Sequence, residues 1–109
     1  MNIQKKLITK NFVKNGDIKR IKYIVIHYFG VLASAESIAR NFGTSDKKAS
    51  AHYCVDDTNI IQCVEDCDIA WHCGGDSYIH ADCRNANSIG IEVRPYKIDP
   101  STASLTTLS

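Results

Sequence analysis

Two hydrophobic segments of this sequence each carry one residue suited to hydrolytic or metal chemistry. His27 lies at the end of the first segment, and Glu92 follows Gly90 in the second. A histidine at the carboxyl end of a buried strand suits a metal ligand, because the sheet fixes the ring and the strand end opens to a cleft. Glycine lets another group approach the backbone closely, so Glu92 suits a general base acting on a metal-activated water.

A long irregular segment supplies further candidates. Residues 65–87 lack hydrophobic periodicity and contain Trp71 and His72 close to Gly74 and Gly75. Long loops without secondary structure are uncommon in small domains and are often functional. An aromatic ring beside an imidazole could stack on a sugar or peptide and hydrogen-bond to it.

Each candidate also has an ordinary structural interpretation. His27 could be a hydrogen-bonded histidine of the core or its rim, and Glu92 could pair with Arg94 at the surface. Trp71 could plug the loop against the core. His52, on an alternating segment beside a tyrosine, is a weaker candidate than the others. Residue types alone leave these alternatives open.

Strands are predicted around the candidate residues. Residues 21–28 are β-branched and aromatic, with apolar side chains on both faces after Lys22, which predicts a central strand covered on both sides. Residues 49–56 and 60–64 predict a hairpin. In residues 88–93 the apolar odd positions are expected to face the core, with Gly90 and Glu92 on the other face.

One helix is predicted between the strands of residues 21–28 and 49–56, and one loop is predicted before the first strand. Apolar residues at i, i+3, i+4 and i+7 define one helical face, and they are Ala35, Ile38, Ala39 and Phe42. Ser34 is placed to cap the start, and Gly43 can take the left-handed conformation that ends a helix. Residues 10–17, rich in Asn, Gly and Asp, predict a loop. The expected fold class is α/β, a central mixed sheet flanked by helices.

Composition limits the possible functions. The 109 residues, 44% apolar and 23% charged, fit one small folded domain. Residues 1–22 contain seven basic residues and one acidic residue. Such a basic segment could contact an anionic polymer, but a solvated flank is the simpler interpretation because no nucleic-acid-reading motif accompanies the lysines. We therefore expect no nucleic-acid partner.

No targeting segment is recognisable. Lys5 and Lys6 are followed by too few apolar residues for a secretory signal, and the longest apolar stretch, residues 23–29, is too short to span a bilayer. We therefore expect synthesis as a soluble cytoplasmic chain without a membrane partner.

The five cysteines are many for this length and odd in number. Without a secretory signal they are expected to be thiols rather than a disulfide framework. Their spacing does not repeat the paired motif of a structural zinc module. A thiol or zinc-finger protein is therefore a weaker interpretation.

Four blocks, in order along the chain, resemble a known family. They are YIVIHY at residues 23–28, SAHYCVDD at 50–57, IAWHCG at 69–74 and NSIGIEV at 87–93. The blocks are similar to those of the type 2 N-acetylmuramoyl-L-alanine amidases, which include phage endolysins and autolysins and share a fold with peptidoglycan recognition proteins. The resemblance covers roughly residues 7–97, and its later two blocks are the more specific.

The resemblance implies an activity and roles for particular residues. It implies a zinc-dependent hydrolase that cuts the amide between N-acetylmuramic acid and L-alanine in the bacterial cell wall, acting after release from the cell. His27 matches the first zinc ligand, and Glu92 matches the acidic residue that assists the attacking water. Trp71 and His72 match a loop lining the substrate groove, in which they are not ligands. A tyrosine near the zinc of some relatives aligns with Ala51, which leaves Tyr53, two positions on, as the candidate substrate contact.

The chain departs from the family at its carboxyl end. In the family the second histidine ligand and a cysteine or aspartate lie in a later segment, and His52, His72, His80 and the cysteines offer no obvious substitute in its pattern. Residues 1–109 are thus expected to be the first two-thirds of a single catalytic domain, with no second domain.

This departure carries three expectations. Catalysis by the chain alone should be weak or absent. The alternative function is a peptidoglycan-binding module without catalysis, which would not need Glu92. The surface that a later helix would cover could support a homodimer.

Overall fold

The structure is a computed structural model that describes residues 2–73 and 81–95 and the backbone of residues 107–108. One α-helix, α1, spans Ala35–Thr44, and short 3-10 turns span Ile18–Arg20 and Asn85–Asn87. The strands are β1 (Ile3–Lys5), β2 (Phe12–Val13), β3 (Tyr23–Tyr28), β4 (Tyr53–Val55), β5 (Ile60–Gln62), β6 (Ile69–Ala70), β7 (Ser88–Val93) and β8 (Thr107–Leu108).

A six-stranded mixed sheet organises the chain in the order β1-β5-β4-β7-β3-β8. Its centre is parallel, with β7 between β3 and β4, whereas β4 pairs with β5 as the predicted antiparallel hairpin. Strands β2 and β6 form a separate antiparallel pair. The predicted α/β class with a mixed central sheet is confirmed. The sequence patterns did not predict β1, and β2 lies in the segment predicted to be a loop.

Helix α1 begins as predicted but ends differently. The Ser34 hydroxyl accepts a hydrogen bond from the Ser37 N–H at 3.1 Å, which satisfies one free donor of the first turn. The prediction that Gly43 stops the helix is wrong, because the helix continues through it to Thr44. Asn11 explains the end: its side-chain amide donates to the carbonyls of Phe42 and Ser45. This long-range cap replaces a glycine cap.

The described core lies on the face of the sheet that α1 covers. Buried side chains of this cluster come from the strands, from α1 and from the segments that follow, and they include Cys54, Ile61, Ala35 and Ala39. Cys54 is the register partner of Glu92, so Glu92 is on this covered face. The prediction that the apolar odd positions of residues 88–93 alone face the core is therefore wrong, although Ile89 is buried.

The opposite face of the sheet is less covered by the residues described. Ile24 is 68% exposed and Tyr28 is 39% exposed, and the register places both on the same face as Ile91 and Val93. Residues 74–80, which include His80, and residues 96–106 lie outside the described part of the chain. Among the described helices, none is long and apolar enough to cross a lipid bilayer.

Candidate metal centre

Three potential metal ligands meet on the helix-covered face of the sheet. Nε2 of His27 lies 3.0 Å from Nδ1 of His72, and Sγ of Cys73 lies 3.2 Å from the same Nδ1. The ligand atoms of the three residues all lie within 4.8 Å of one another. Two imidazole nitrogens and one thiol at these distances could hold a metal ion.

The backbone around the group explains why these side chains converge. His27 is the penultimate residue of β3 and projects from the same face as Val25. The segment after β6 is held by Asn85, whose side-chain oxygen accepts hydrogen bonds from the N–H groups of His72 and Cys73 at 2.9 and 2.6 Å. One amide oxygen thereby fixes two consecutive candidate ligands.

Gly90 leaves the space that the His72 ring occupies. A β-carbon at position 90 would lie 2.4 Å from Cγ of His72, much closer than two carbons can approach. Gly90 is the register partner of Val25 in β7. The absence of a side chain in the middle of a buried strand therefore lets the imidazole lie directly on the sheet.

Hydrogen bonding fixes which nitrogen of His72 carries its proton. The Ser88 hydroxyl donates to the carbonyl of Arg84 at 2.7 Å, so toward His72 its oxygen can only accept. Nε2 of His72, 2.9 Å away, is then the protonated nitrogen. This leaves a free lone pair on Nδ1, which faces His27 and Cys73.

Burial keeps both imidazoles neutral. Desolvation, together with the neighbouring His27, His52 and Arg20, lowers the pKa of His72 to about 3. Desolvation also lowers the pKa of His27 from its usual value. Neutral imidazole is the form that binds metals. Burial and the adjacent Cys83 raise the pKa of the Cys73 thiol to about 11.

Glu92 is placed beside this group. It is the register partner of His27 across β3 and β7, so the two side chains project from neighbouring strands on the same face. Desolvation raises the pKa of the Glu92 carboxyl to about 7. A carboxyl with this pKa exchanges protons readily near neutral pH, which suits a general acid or base.

A second buried network, formed around His52 and Arg20, lies next to the metal-ligand group and contacts it through Gly90 and Ser88. Nδ1 of His52 accepts a hydrogen bond from the Gly90 N–H at 3.1 Å, and its Nε2 lies 2.8 Å from the Asp68 carbonyl. The Arg20 guanidinium donates to the carbonyls of Asp66 and Ser88. The network ties β4 and β7 to the segment that precedes β6.

The candidates predicted from sequence fall into two groups. His27, His72 and Glu92 lie together, and half-buried Trp71 immediately precedes His72. Tyr53 is on the opposite face, because it is the register partner of Ile91, and its hydroxyl donates to Asp66 at 2.7 Å. The structure therefore does not bring Tyr53 to the group.

Two contributors escaped the sequence analysis. Cys73 was not considered as a ligand because the spacing of the cysteines does not match the paired motif of a zinc module. Its position directly after His72 is the one sequence signal that could have suggested a shared site. Arg20 was counted within a solvated basic segment, yet it donates to several backbone carbonyls inside the protein.

Comparison with solved structures identifies similar proteins. The chain superposes on PlyL with a TM-score of 0.71 at 29% identity, covering 89% of this chain and 60% of that one. An endolysin from Bacillus subtilis, solved as a mutant, gives a TM-score of 0.69 at 31% identity, with 86% and 61% covered. The PlyG catalytic domain gives 0.65 at 29% identity, with 84% and 55% covered.

These matches are partial in length. The chain spans about 60% of the first two structures. No curated protein matches the chain. The family model for N-acetylmuramoyl-L-alanine amidases (Amidase_2), however, matches residues 17–108, which is most of the sequence. The chain therefore belongs to the N-acetylmuramoyl-L-alanine amidase family.

Proposed function

We propose that this chain is a zinc-dependent catalytic domain that hydrolyses the lactyl-amide bond between N-acetylmuramic acid and L-alanine in peptidoglycan. Family membership supports the reaction class. The observation that carries the proposal to this site is the pairing of His27, a candidate metal ligand, with Glu92 on the neighbouring strand. Metal-assisted amide hydrolysis needs a held metal ion with an open position and a nearby group that moves a proton, and these two residues could contribute to both.

The donor chemistry near His27 fits zinc. Imidazole nitrogen and thiolate sulfur are preferred zinc ligands in proteins, and His27 and its neighbours supply these atom types within 4.8 Å of one another. Zinc bound there would polarise the scissile carbonyl and lower the pKa of a water molecule.

Glu92 has the properties required of the proton carrier. In its ionised form it would accept the proton of the attacking water, and in its neutral form it would donate that proton to the departing amine of L-alanine. A pKa of about 7 keeps both forms accessible near neutral pH. No hydrogen bond or ion pair to its carboxylate occurs within residues 2–73 and 81–95, so a substrate or water would not have to displace one.

Trp71, which immediately precedes His72, is the proposed substrate contact. Its ring is half-buried, and its backbone is fixed by reciprocal hydrogen bonds with Ser50. An aromatic side chain on this fixed backbone, next in sequence to His72, could pack against a sugar ring or the peptide stem.

Release of dye from labelled cell walls tests the proposal. The family's ligand pattern led us to expect weak or absent catalysis by residues 1–109, but donor atoms that hold zinc near His27 would change that expectation. The chain should then release dye in the presence of zinc, and a chelator should abolish the release. Glu92→Gln should reduce the rate about 100-fold or more, in the range for loss of a general base. Glu36→Gln, which changes an exposed carboxylate on α1, should leave the rate unchanged.

The same assay separates catalysis from binding alone. A chain that sediments with cell walls but releases no dye at any zinc concentration would be a peptidoglycan-binding module, and the hydrolase proposal would be wrong.

We also propose self-association through the less covered face of the sheet. Ile24 and Tyr28 are exposed there, on the same face as Ile91 and Val93. An exposed apolar sheet face of this kind favours pairing with a second copy. Sedimentation at several concentrations should show a dimer that Ile24→Lys weakens, and a monomer throughout would contradict this.

A further inference from the structure

We infer that His72 and Cys73 join His27 as metal ligands of this chain, so that three side chains within residues 27–73 hold a zinc ion. The inference rests on the proposed zinc dependence and deepens it. It departs from what the family resemblance implies, in which His72 lines the groove and the remaining ligands follow in a later segment.

The distances are close to those of a tetrahedral site. Zinc–nitrogen bonds of about 2.0–2.1 Å and zinc–sulfur bonds of about 2.3 Å place neighbouring ligand atoms about 3.3–3.6 Å apart. The separations from Nδ1 of His72 are 3.0 Å to His27 and 3.2 Å to Cys73. These two separations lie within a few tenths of an ångström of the tetrahedral value, and the third, between the ligand atoms of His27 and Cys73, is at most 4.8 Å.

In the metal-free protein, protons on His27 and Cys73 occupy the space in which a metal ion would lie. The free lone pair of His72 Nδ1 faces Nε2 of His27 and the Cys73 thiol, and each of these can reach it only as a donor. A single acceptor thus faces two proton-bearing groups. One cation shared by the three atoms would take the place of those two protons, and metal binding commonly releases protons in this way.

Groups around the ligands already hold them in binding orientation. Ser88 accepts from Nε2 of His72, which is the outer-shell hydrogen bond that fixes the tautomer of a ligating histidine. Asn85 holds the backbone of both His72 and Cys73. Gly90 supplies the space for the ring. These features would restrict the movement of the ligands and so favour binding.

Three protein ligands leave one tetrahedral position open. A catalytic zinc site has this composition, whereas a structural site is usually closed by a fourth protein ligand. The side chain of Glu92 projects from the strand next to His27, on the same face as the group.

Zinc binding by the 109-residue chain tests the inference without relying on activity. The purified chain, stripped of metal and titrated with zinc, should bind one ion. Cys73→Ser and His72→Gln should each weaken binding by at least about 100-fold, since even loss of an outer-shell partner weakens binding 10–100-fold. Cys67→Ser is the matched control, because the Cys67 thiol contacts the Asp68 carboxylate and lies outside the ligand group, and this variant should bind zinc like the parent.

Cobalt gives a spectroscopic signature of the thiolate. The cobalt-loaded chain should show a sulfur-to-metal charge-transfer band that Cys73→Ser abolishes and Cys67→Ser retains. Far-ultraviolet circular dichroism of the metal-free variants verifies that they are folded. If His72→Gln is unfolded, the cobalt band of the folded Cys73→Ser variant still decides the question.

The outcomes separate this inference from the proposed function. If folded Cys73→Ser and His72→Gln bind zinc normally while His27→Ala does not, or if the parent chain binds no zinc, the inferred ligand set is wrong. In the first of these two cases, zinc-dependent release of dye from cell walls would still support the proposed function with other ligands, whereas a parent chain that binds no zinc would contradict the proposed zinc dependence as well. Normal zinc binding without any dye release would instead contradict the proposed function alone.

Discussion

Gly90 lies directly beneath the imidazole of His72, and a β-carbon at position 90 would be 2.4 Å from its Cγ. A strand position without a side chain is therefore part of the candidate metal centre, although it contributes no ligand. Because the ring is also hydrogen-bonded to Ser88, it cannot move away from an added methyl group without losing that bond.

We predict that Gly90→Ala displaces His72. The free energy of unfolding should fall by about 1–3 kcal/mol, the usual effect of overfilling a packed interior, and zinc affinity should fall with it. Urea unfolding and zinc titration measure the two effects. Gly30→Ala is the control, since a β-carbon there meets no atom within 4 Å. Equal behaviour of the two variants would contradict the proposed packing.

The raised pKa of Glu92 predicts a pH-dependent stability of the metal-free chain. The pKa rises from a usual 4.5 to about 7 in the fold, so as pH increases the unfolded chain releases this proton first. The contribution of the neutral carboxyl is complete below about pH 4.5 and is lost as pH rises through about 7. Glu92→Gln, which cannot ionise, should therefore be more stable than the parent at pH 8, by up to about 3 kcal/mol.

Urea unfolding of both proteins at pH 4.5 and pH 8 measures this difference. Other titrating groups, including His72, are common to both proteins and largely cancel. Glu36→Gln should show no such pH-dependent difference, because Glu36 is exposed on α1. A Glu92→Gln variant no more stable than the parent at pH 8 would mean that Glu92 is not buried in its charged form.

Arg20 is predicted to be a major stabilising residue. Its guanidinium donates to the carbonyls of Asp66 and Ser88, and truncation would leave buried acceptors without a donor. Arg20→Ala should lower the free energy of unfolding by about 2–4 kcal/mol, since hydrogen bonds from a charged group contribute about 1.5–3 kcal/mol each but not additively.

Arg40→Ala is the matched control for Arg20. Arg40 pairs with Glu36 on the exposed surface of α1, and such pairs contribute about 0.2–1 kcal/mol. Chemical denaturation measures the free energy of unfolding of both variants. Equal decreases for Arg20→Ala and Arg40→Ala would contradict the role assigned to Arg20.

Trp71 and Tyr53 should differ in their effect on substrate. Trp71→Ala should weaken sedimentation with cell walls and leave zinc content unchanged, because Trp71 immediately precedes His72 but is not one of the candidate ligands. Tyr53→Phe removes only the hydroxyl that bonds Asp66 on the opposite face, so wall binding should be unchanged. A loss of wall binding in Tyr53→Phe, with none in Trp71→Ala, would reverse the assigned orientation of the site.

The sequence predicted the parts of the fold that depend on local pattern. Strand β3 follows from its run of β-branched and aromatic residues, the β4–β5 hairpin from two strand segments joined by a turn, and β7 from alternation. The start of α1 follows from helical periodicity and the Ser34 cap. The end of α1 did not, because it is capped by Asn11, about 30 residues away in sequence. A cap supplied by another segment leaves no signal next to the helix.

The candidate site was predicted only in part, because some of its residues are brought together by contacts between segments that are distant in sequence. His27 and Glu92 were identifiable from their positions within single strands. The convergence of His72 and Cys73 on His27 depends on Asn85 and Gly90, which lie on other segments. Arg20 was assigned to a solvated segment because its partners are backbone carbonyls. Every residue has a carbonyl, so the sequence does not show which ones accept a hydrogen bond from Arg20.

The new chain ends formed in purified peptidoglycan test the central claim most directly. Hydrolysis of the lactyl amide should expose the amino group of L-alanine without producing reducing sugar ends. We predict that alanine amino termini accumulate with the zinc-loaded chain and remain at background with chelator or with Glu92→Gln. New reducing ends, or no new ends of either kind despite bound zinc and bound peptidoglycan, would contradict the assignment of this chain as an amidase.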